Sequence, residues 1–228
     1  MPADGLTPEA AAMAEPLAVC LHGLQLSGGV LGKRVLVTGC GPIGLLCIQL
    51  ARQAGAVEIT AADVAPDALS RARKLGADKT LDVTPESGAP VGTSAGPQHY
   101  ADRENHYHVH FECSGAASAV QTGVVALRPR GTIVQIGMGS HISVPMDRIT
   151  AKELRLLGSF RFGSAFREAV ALMLGGVVDV NAMVTHQFAP LEFQQAFATA
   201  SNRAIANKVQ IDFTRQATAA VPKPADRS

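Results

Sequence analysis

"VLVTGCGPIGLLCIQLARQAG", residues 35–55, is the stretch that decides the fold. It opens with a short β-branched run and passes through three glycines at the spacing Gly39-x-Gly41-x-x-Gly44. It then continues with apolar residues at helical spacing up to Gly55. A buried strand, a glycine-rich turn and a helix in this order are typical of the first half of a parallel βαβ unit.

The alternation of strands and helices continues along the chain. Strands are predicted at 33–39, 57–63, 79–83, 108–115, 131–137 and 153–160. Helices are predicted at 42–55, 65–77, 116–128 and 166–176. This order predicts an α/β fold with a doubly wound, six-stranded parallel sheet of the Rossmann type.

The start of the chain departs from this alternation. Thr7 and Pro8 have the residue types of a helix N-terminus, and the prediction is a helix that begins there. Because proline lacks the backbone N–H that a helix interior needs, Pro16 is expected to end this helix and to open a second one over 17–26.

Three later segments also depart from it. Residues 84–106 are rich in Gly, Pro and Ser, and they predict a surface loop where a crossover helix is expected. Beyond about residue 178 the pattern predicts a strand, a turn, a helix and a last strand at 208–213. Residues 214–228 are expected to form a disordered tail.

Composition excludes several classes of function. Hydrophobic residues make up 47% and charged residues 17% of the 228 residues, which allows a sizeable core. The formal net charge of +1 and the lack of a basic stripe do not indicate a surface that binds nucleic acid or a membrane. No apolar run reaches the roughly 18 residues of a membrane span, and the N-terminus lacks the pattern of a signal peptide. A cytoplasmic location is therefore expected.

The four cysteines do not form a recognisable framework. Cys20, Cys40, Cys47 and Cys113 include no Cys-x-x-Cys pair, so neither a set of disulfides nor a zinc knuckle is indicated. We expect them to be reduced thiols.

The glycine-rich turn predicts a dinucleotide site. One glycine makes the tight turn, one lets the backbone approach a pyrophosphate, and the third lets helix and strand pack closely. Asp63 ends the second predicted strand, where a carboxylate accepts hydrogen bonds from the ribose hydroxyls and repels a 2′-phosphate. This favours NAD over NADP, although Arg71 and Arg73 on the next helix can soften the preference. Two alternatives stay open, a glycine turn used for packing only and an adenosine ligand such as S-adenosylmethionine.

Short-chain reductases are excluded as a class because they need Tyr-x-x-x-Lys. The two tyrosines, Tyr100 and Tyr107, are followed four places on by Glu104 and Phe111.

Longer stretches resemble one family. "AEPLAVCLHG" (14–23), the glycine-rich turn with its Pro42, "ECSGAASAVQTGVVALRPRGTIVQIGMG" (112–139) and "ITAKELRLLGSFRF" (149–162) resemble the zinc-dependent medium-chain dehydrogenases. They are most similar to the polyol branch of sorbitol, threonine and L-idonate dehydrogenases, and within it to the L-idonate dehydrogenases. The resemblance implies NAD(P)-dependent oxidation of a secondary alcohol of a polyol or sugar acid, with zinc binding the alcohol oxygen.

The resemblance also implies which residues hold the cofactor. The pyrophosphate loop corresponds to Gly39, Gly41, Pro42, Ile43 and Gly44, and the acid that binds the ribose corresponds to Asp63. The loops after the fourth and fifth strands correspond to Ser114, Gly115, Ile136, Gly137 and Met138. The residues that border the nicotinamide correspond to Phe160 and Arg161. Arg161 is also implied to be catalytic through the substrate and metal-water network. Ala68 departs from the family, which often has a basic residue there.

Glu15 is implied to lie beside the catalytic zinc, as a catalytic residue and a tentative metal neighbour outside the direct ligands. A plainer interpretation is an acid that stabilises the N-terminus of its helix. The direct zinc ligands of the family belong to a GroES-like domain that this sequence does not contain, so zinc is not expected to bind well here.

The resemblance divides the chain into four parts. Residues 1–28 correspond to linking helices from the truncated catalytic domain, 29–177 to the NAD-binding domain, 178–213 to a return segment of the catalytic domain, and 214–228 to the tail. Remnants of a second domain are thus expected at both ends.

Three histidines alternate at 106, 108 and 110, so they share one face of a strand. Three imidazoles on one side can bind a metal, but a buried structural position is the favoured interpretation. His22, His141 and His186 are expected to be structural or exposed.

Three hypotheses follow. The chain is the cofactor-binding part of an L-idonate 5-dehydrogenase-like enzyme, or a non-catalytic NAD-binding module or gene fragment, or a Rossmann methyltransferase, against which "GPIG" and "GSFRF" argue. The expected partners are a small-molecule substrate and a second copy of the chain, paired through a sheet edge near 141–147.

Overall fold

The structure is a computed structural model of the chain, and it describes residues 5–84, 106–139, 141–202 and 204–215. It divides into two compact units, residues 1–183 and 184–228. The predicted loop at 84–106 and the predicted tail at 214–228 lie almost wholly outside the described residues.

The first unit contains the larger set of elements. Its strands are β1 (Arg34–Thr38), β2 (Glu58–Asp63), β3 (Lys79–Asp82), β4 (Tyr107–Glu112), β5 (Leu127–Gln135) and β6 (Arg155–Gly158). Its helices are α1 (Pro8–Ala11), α2 (Ala14–Leu26), α3 (Pro42–Gln53), α4 (Pro66–Lys74), α5 (Ala117–Ala126), α6 (Met146–Ala151) and α7 (Phe166–Leu174), with a 3₁₀ turn at Asn181–Met183.

The six strands form one parallel sheet in the order β3-β2-β1-β4-β5-β6. The chain reverses its direction of travel between β1 and β4, and open α/β sheets bind ligands in the crevice at such a switch point. The predicted α/β class and six-stranded parallel sheet are confirmed, and each predicted strand overlaps an observed one.

Two boundaries differ from the predictions for backbone reasons. Helix α2 begins at Ala14 and includes Pro16, which stands in the first turn, where a missing N–H removes no helical hydrogen bond. Strand β5 begins at Leu127, within the predicted helix, because Arg128 precedes Pro129 and is disfavoured in the helical region.

The predicted sheet edge near 141–147 is wrong. Residues 141–145 carry no regular structure, and helix α6 begins at Met146. In the described part of the sheet the edge strands are β3 and β6.

The core lies on both faces of the central strands. Side chains of β1 from Val35 to Val37 are fully buried, as is most of α3, which covers one face of the sheet. Helix α2 packs against α3 and α7, with Leu17 and Cys20 fully buried. Strands β1, β2 and β4 are buried along most of their length, as expected for central strands of a parallel sheet that is covered on both faces, whereas the edge strand β3 is only partly buried.

The second unit is small. Strands β7 (Val184–Phe188) and β8 (Lys208–Ile211) pair in parallel, and a 3₁₀ turn (Pro190–Glu192) leads into helix α8 (Phe193–Ser201) between them. This order of strand, turn, helix and strand is the predicted one. Among the residues that the structure describes, no helix is long and apolar enough to cross a membrane.

Candidate nucleotide site

The glycine-rich turn lies between the carboxyl end of β1 and the N-terminus of α3. Gly39 has a φ of +83°, a conformation that side chains other than glycine rarely adopt. A methyl group at Gly44 would overlap the carbonyl oxygen of Gly39, so this glycine lets α3 pack on the turn. A methyl group at Gly41 would meet no atom of the described residues within 4 Å, so the described part of the chain leaves the space above Gly41 open. Packing therefore accounts for Gly39 and Gly44 but not for Gly41.

Asp63, the last residue of β2, holds the turn from the side. Its Oδ2 accepts a hydrogen bond from the backbone N–H of Cys40 at 2.5 Å, and its Oδ1 accepts one from Ala65 at 2.9 Å. A carboxylate has about four lone-pair sites, so two of them stay available. The structure thus brings Asp63 directly beside the glycine-rich turn.

The turns after β1, β4 and β5 interlock at their glycines. A methyl group at Gly39 would lie 2.7 Å from the backbone nitrogen of Ser114, and one at Gly115 would lie 2.6 Å from the carbonyl oxygen of Met138. Gly115 also has a φ of +73°. These contacts place Ser114 next to the glycine-rich turn and Met138 next to Gly115.

Glu112 is a residue of this site that the sequence predictions missed. It ends β4, and its residue exposure is 0%. Its carboxylate accepts hydrogen bonds from the N–H groups of Ser114 (2.7 Å) and Gly115 (3.0 Å), from the Ser114 hydroxyl, and from Nε2 of Gln135 (2.5 Å). The sequence signal was an acid at the end of a buried strand, two residues before a Ser-Gly pair.

A second buried polar group extends this network. Nε2 of His110 lies 2.8 Å from Oγ1 of Thr38, which in turn lies 3.4 Å from Oε1 of Glu112. If the Thr38 hydroxyl donates to Glu112, its oxygen accepts the Nε2 proton of His110. Complete burial lowers the pKa of His110 to about 3, so the imidazole is neutral.

The other two histidines of the alternating set have separate partners. Nε2 of His106 lies 2.7 Å from Oε1 of Glu58, and the hydrogen bonds from Lys79 and His106 lower the pKa of Glu58 although burial opposes them. Nδ1 of His108 accepts the backbone N–H of Arg34, and desolvation with nearby Arg34 and Arg128 lowers the pKa of His108. Each histidine therefore has a structural contact of its own.

No metal site is formed by these groups. Within residues 5–84, 106–139, 141–202 and 204–215, no cluster of three His, Cys, Asp or Glu side chains is arranged to hold a metal ion. Glu15 is exposed in the first turn of α2, the position of an acid that stabilises a helix N-terminus. The described residues thus do not fit a catalytic zinc ion.

Phe160 and Arg161 follow β6 and are exposed. The guanidinium carbon of Arg161 lies 5.4 Å from the centre of the Phe160 ring. Arg161 has a φ of +56°, which costs a non-glycine residue about 1–3 kcal/mol and is typical of functional positions. Met138 is 84% exposed, so the apolar surface of this end of the sheet faces solvent.

All four cysteines are free thiols. Sγ of Cys113 lies 3.9 Å from Sγ of Cys47, and Sγ of Cys20 donates to the carbonyl oxygen of Ile43. Burial raises the pKa of Cys40 and of Cys20 above the usual range of a thiol. The expectation of reduced cysteines agrees with this arrangement.

Comparison with known proteins identifies the class. Residues 42–175 match the family model described as zinc-binding dehydrogenase, and this stretch is more than half of the chain. The chain therefore belongs to the zinc-binding dehydrogenase family.

Individual relatives narrow the similarity. The chain is 36% identical over 203 residues to L-idonate 5-dehydrogenase (NAD(P)(+)) of Escherichia coli strain K12, covering 89% of the chain and 57% of the relative. It is 33% identical over 197 residues to human sorbitol dehydrogenase, covering 86% of the chain and 54% of the relative.

Solved structures agree. The crystal structure of L-idonate 5-dehydrogenase from Escherichia coli K-12 matches with a TM-score of 0.81 at 35% identity, over 91% of this chain and 57% of that one. A zinc-binding dehydrogenase from Sinorhizobium meliloti 1021, bound to NADP, matches with a TM-score of 0.75 at 32% identity, over 90% of this chain and 59% of that one. The chain thus spans little more than half the length of the relatives that it matches.

Proposed function

We propose that this chain binds NAD(H) across the carboxyl ends of its six-stranded sheet and serves the oxidation of a secondary alcohol of a polyol or sugar acid. One observation carries the proposal: the open space above Gly41 lies at the N-terminus of α3 and beside the carboxylate of Asp63. These are the two contacts that a dinucleotide needs for its pyrophosphate and its adenosine ribose.

The pyrophosphate is assigned to the first turn of α3. The N–H groups in the first turn of a helix have no carbonyl partner within the helix, and the helix dipole adds partial positive charge there. Pro42 has no N–H to leave unpaired, so the amides of Ile43 and Gly44 are the donors that face the open space at Gly41. A side chain at position 41 would occupy that space.

The adenosine ribose is assigned to Asp63. Two lone-pair sites of its carboxylate remain after the bonds to Cys40 and Ala65, and they suit two hydroxyl groups. The same charge repels a 2′-phosphate, which supports NAD as the preferred cofactor. A structural relative is bound to NADP, so a preference for NADP is the alternative to test.

The nicotinamide is assigned to the opposite half of the sheet, over β4, β5 and β6. Ser114, Gly115, Ile136, Gly137 and Met138 end two of these strands, and Phe160 and Arg161 follow the third. NAD, when bound, accepts a hydride from the alcohol carbon. The exposed faces of Met138 and Phe160 are suited to cover the ring and to exclude water from that transfer.

The substrate class rests on the relatives named for L-idonate and sorbitol. We assign Arg161 to the substrate side of the nicotinamide and Glu15 to the wall that faces the reacting centre. Because no metal cluster exists in the part of the chain that the structure describes, no step through zinc is assigned to this chain.

The domain boundaries and the assembly are part of the proposal. Residues 29–177 form the nucleotide domain, 1–28 and 178–213 are segments of a second domain, and 214–228 form the tail. Two copies are proposed to pair along the exposed edge of β6. Light scattering tests whether the chain forms a dimer.

The decisive experiment is a fluorescence titration of the purified chain with NADH, with NADPH in parallel. The chain contains no tryptophan, so the emission of the cofactor itself is the signal. We expect saturable binding that is tighter for NADH. A folded chain that binds neither cofactor would overturn the proposal.

A second candidate is a nucleotide-binding module without catalysis, which the lack of a metal cluster among the described residues favours. L-Idonate and sorbitol, each with NAD and added zinc, separate the two functions. NADH formation supports the enzyme, and binding without turnover supports the module.

A further inference from the structure

Glu112 joins three strand ends through its side chain. Its carboxylate accepts hydrogen bonds from Ser114 and Gly115 in the turn after β4, from Gln135 at the end of β5, and from Thr38 at the end of β1. The N–H distances to the turn are 2.7 Å for Ser114 and 3.0 Å for Gly115. One buried side chain therefore fixes the relative position of three neighbouring strand ends.

The backbone of Glu112 fixes the next turn as well. Its carbonyl oxygen accepts the N–H groups of Ile136 at 2.9 Å and Gly137 at 2.8 Å. A methyl group at Gly137 would lie 2.7 Å from Oε2 of Glu112, so the turn after β5 closes against the carboxylate only because this residue is glycine. Both turns that face the nicotinamide half of the site thus rest on one residue.

The carboxylate is held by neutral donors. Among the described residues, no lysine or arginine forms an ion pair with Glu112. A buried charge is costly unless hydrogen bonds compensate it, so the N–H and O–H donors must stay directed at the carboxylate. The Ser114–Gly115 turn therefore has the conformation that lets its N–H groups donate to the Glu112 carboxylate.

We propose that Glu112 is a positioning residue for the nicotinamide half of the cofactor. It touches no part of the cofactor itself and acts through the turns that follow β4 and β5. The proposal rests on the proposed NAD(H) function. The two halves of the site meet where the Ser114 backbone packs on Gly39. Among the described residues, however, no hydrogen bond to Glu112 comes from Asp63 or the glycine-rich turn, which hold the adenosine half.

The test compares NADH with AMP, which contains only the adenosine half. In Glu112→Gln one carboxylate oxygen becomes an NH₂ group that faces N–H donors, so the turn must rearrange. We expect the Kd for NADH to rise about tenfold or more and the Kd for AMP, from calorimetry, to stay within about twofold. A merely structural role would weaken both ligands together.

A milder variant and a remote control keep the test decisive. Gln135→Met removes one donor to the carboxylate, and we expect it to fold and to shift the Kd for NADH in the same direction. Ile59→Val, a buried position in β2, lowers stability without touching the turns, and it is expected to change neither Kd.

Amide hydrogen exchange supplies a readout without ligand. In Glu112→Gln the amides of Ser114, Gly115 and Gly137 are expected to exchange faster. The exchange rate of the Cys40 amide is expected to stay unchanged. Equal losses of affinity for NADH and AMP, or no loss of affinity for NADH, would overturn the positioning role of Glu112 and leave the proposed NAD(H) function standing. A wild-type chain that binds neither ligand would overturn the proposed function and this inference together.

Discussion

The imidazole of His110 occupies the space that a side chain at position 123 would need. A methyl group at Gly123 would overlap Nδ1 of His110, and that nitrogen has no hydrogen-bond partner among the described residues. Helix α5 approaches β4 closely because a glycine faces a histidine at this point. The pairing accounts for the glycine at position 123, because the imidazole leaves no room for a side chain there.

The first prediction concerns this pair. Gly123→Ala is expected to lower the free energy of unfolding by about 1–3 kcal/mol, because the added methyl group overpacks a fully buried contact. Chemical denaturation measures the change. The double variant Gly123→Ala with His110→Ala should lose less than the sum of the two single variants. Additive losses would contradict the steric explanation.

The second prediction is a loss of stability on acidification. The pKa of His110 is lowered from the usual value of 6.5 to about 3 in the folded chain, so below about pH 6.5 the unfolded chain binds a proton that the folded chain does not. Stability should therefore fall by about 1.4 kcal/mol from about pH 7.5 to about pH 5.5. The paired carboxylates Glu58 and Asp78 have lowered pKa values, and their contribution is lost only at more acidic pH.

The control for this prediction is His110→Gln, which removes the titrating group. His108, whose pKa is also lowered, remains in both proteins. Thermal unfolding at the two pH values should show a smaller acid effect in the variant. An equal acid effect in the wild-type chain and the variant would show that other titrating groups cause the loss of stability.

The third prediction separates two glycines of the same turn. Gly44→Ala should destabilise the fold, because its methyl group would overlap the carbonyl oxygen of Gly39. Gly41→Ala should leave the Tm nearly unchanged, because its methyl group meets only open space, and should weaken NADH binding at least about tenfold. A Gly41→Ala variant with wild-type affinity would show that the open space is not the pyrophosphate site.

The fourth prediction concerns the choice of cofactor. Asp63→Asn removes the charge that repels a 2′-phosphate. Its NH₂ group also faces one of the two N–H donors, from Cys40 or Ala65, so both cofactors should bind more weakly. The ratio of the NADPH Kd to the NADH Kd should still fall by about tenfold, because only NADPH gains from the loss of the charge. Paired fluorescence titrations measure the ratio. Asp147→Asn, an exposed acid on α6, removes an equal charge away from β2 and should leave the ratio unchanged.

The fifth prediction tests the backbone at Arg161. Arg161→Gly should unfold at a higher temperature than Arg161→Ala, because only glycine adopts a φ of +56° without strain. The two variants lack the guanidinium equally, so any difference in Tm reports the backbone alone. Equal melting temperatures would remove the argument for strain at this position.

Much of the fold could be predicted from the sequence because local signals agree with one another. Gly39, Gly41 and Gly44 between a strand and a helix specify the first βαβ unit, and the alternation that follows leads to the observed sheet. The start of α2 was misplaced because proline breaks a helix only beyond its first turn. The edge near 141–147 was misplaced because it was taken from relatives and not from a strand pattern.

The candidate site could be predicted only in part. Asp63 follows from its distance along the chain from the glycine-rich turn. Glu112 does not, because its role depends on donors from Thr38 and Gln135 that only the strand pairing brings together. His110 and Gly123 likewise meet through tertiary packing. Residues that act through neighbours distant in sequence leave no local pattern to detect.

The hydrogen bonds of Glu112 also bear on protein engineering. Its partners come from three strand ends, so a graft of residues 112–139 onto another Rossmann scaffold would lack the donor at Thr38. A host with an apolar residue there would leave the transplanted carboxylate short of one donor, although the graft carried every residue that faces the ligand. Chimeras of this domain therefore have to exchange Thr38 and Glu112 as a matched set.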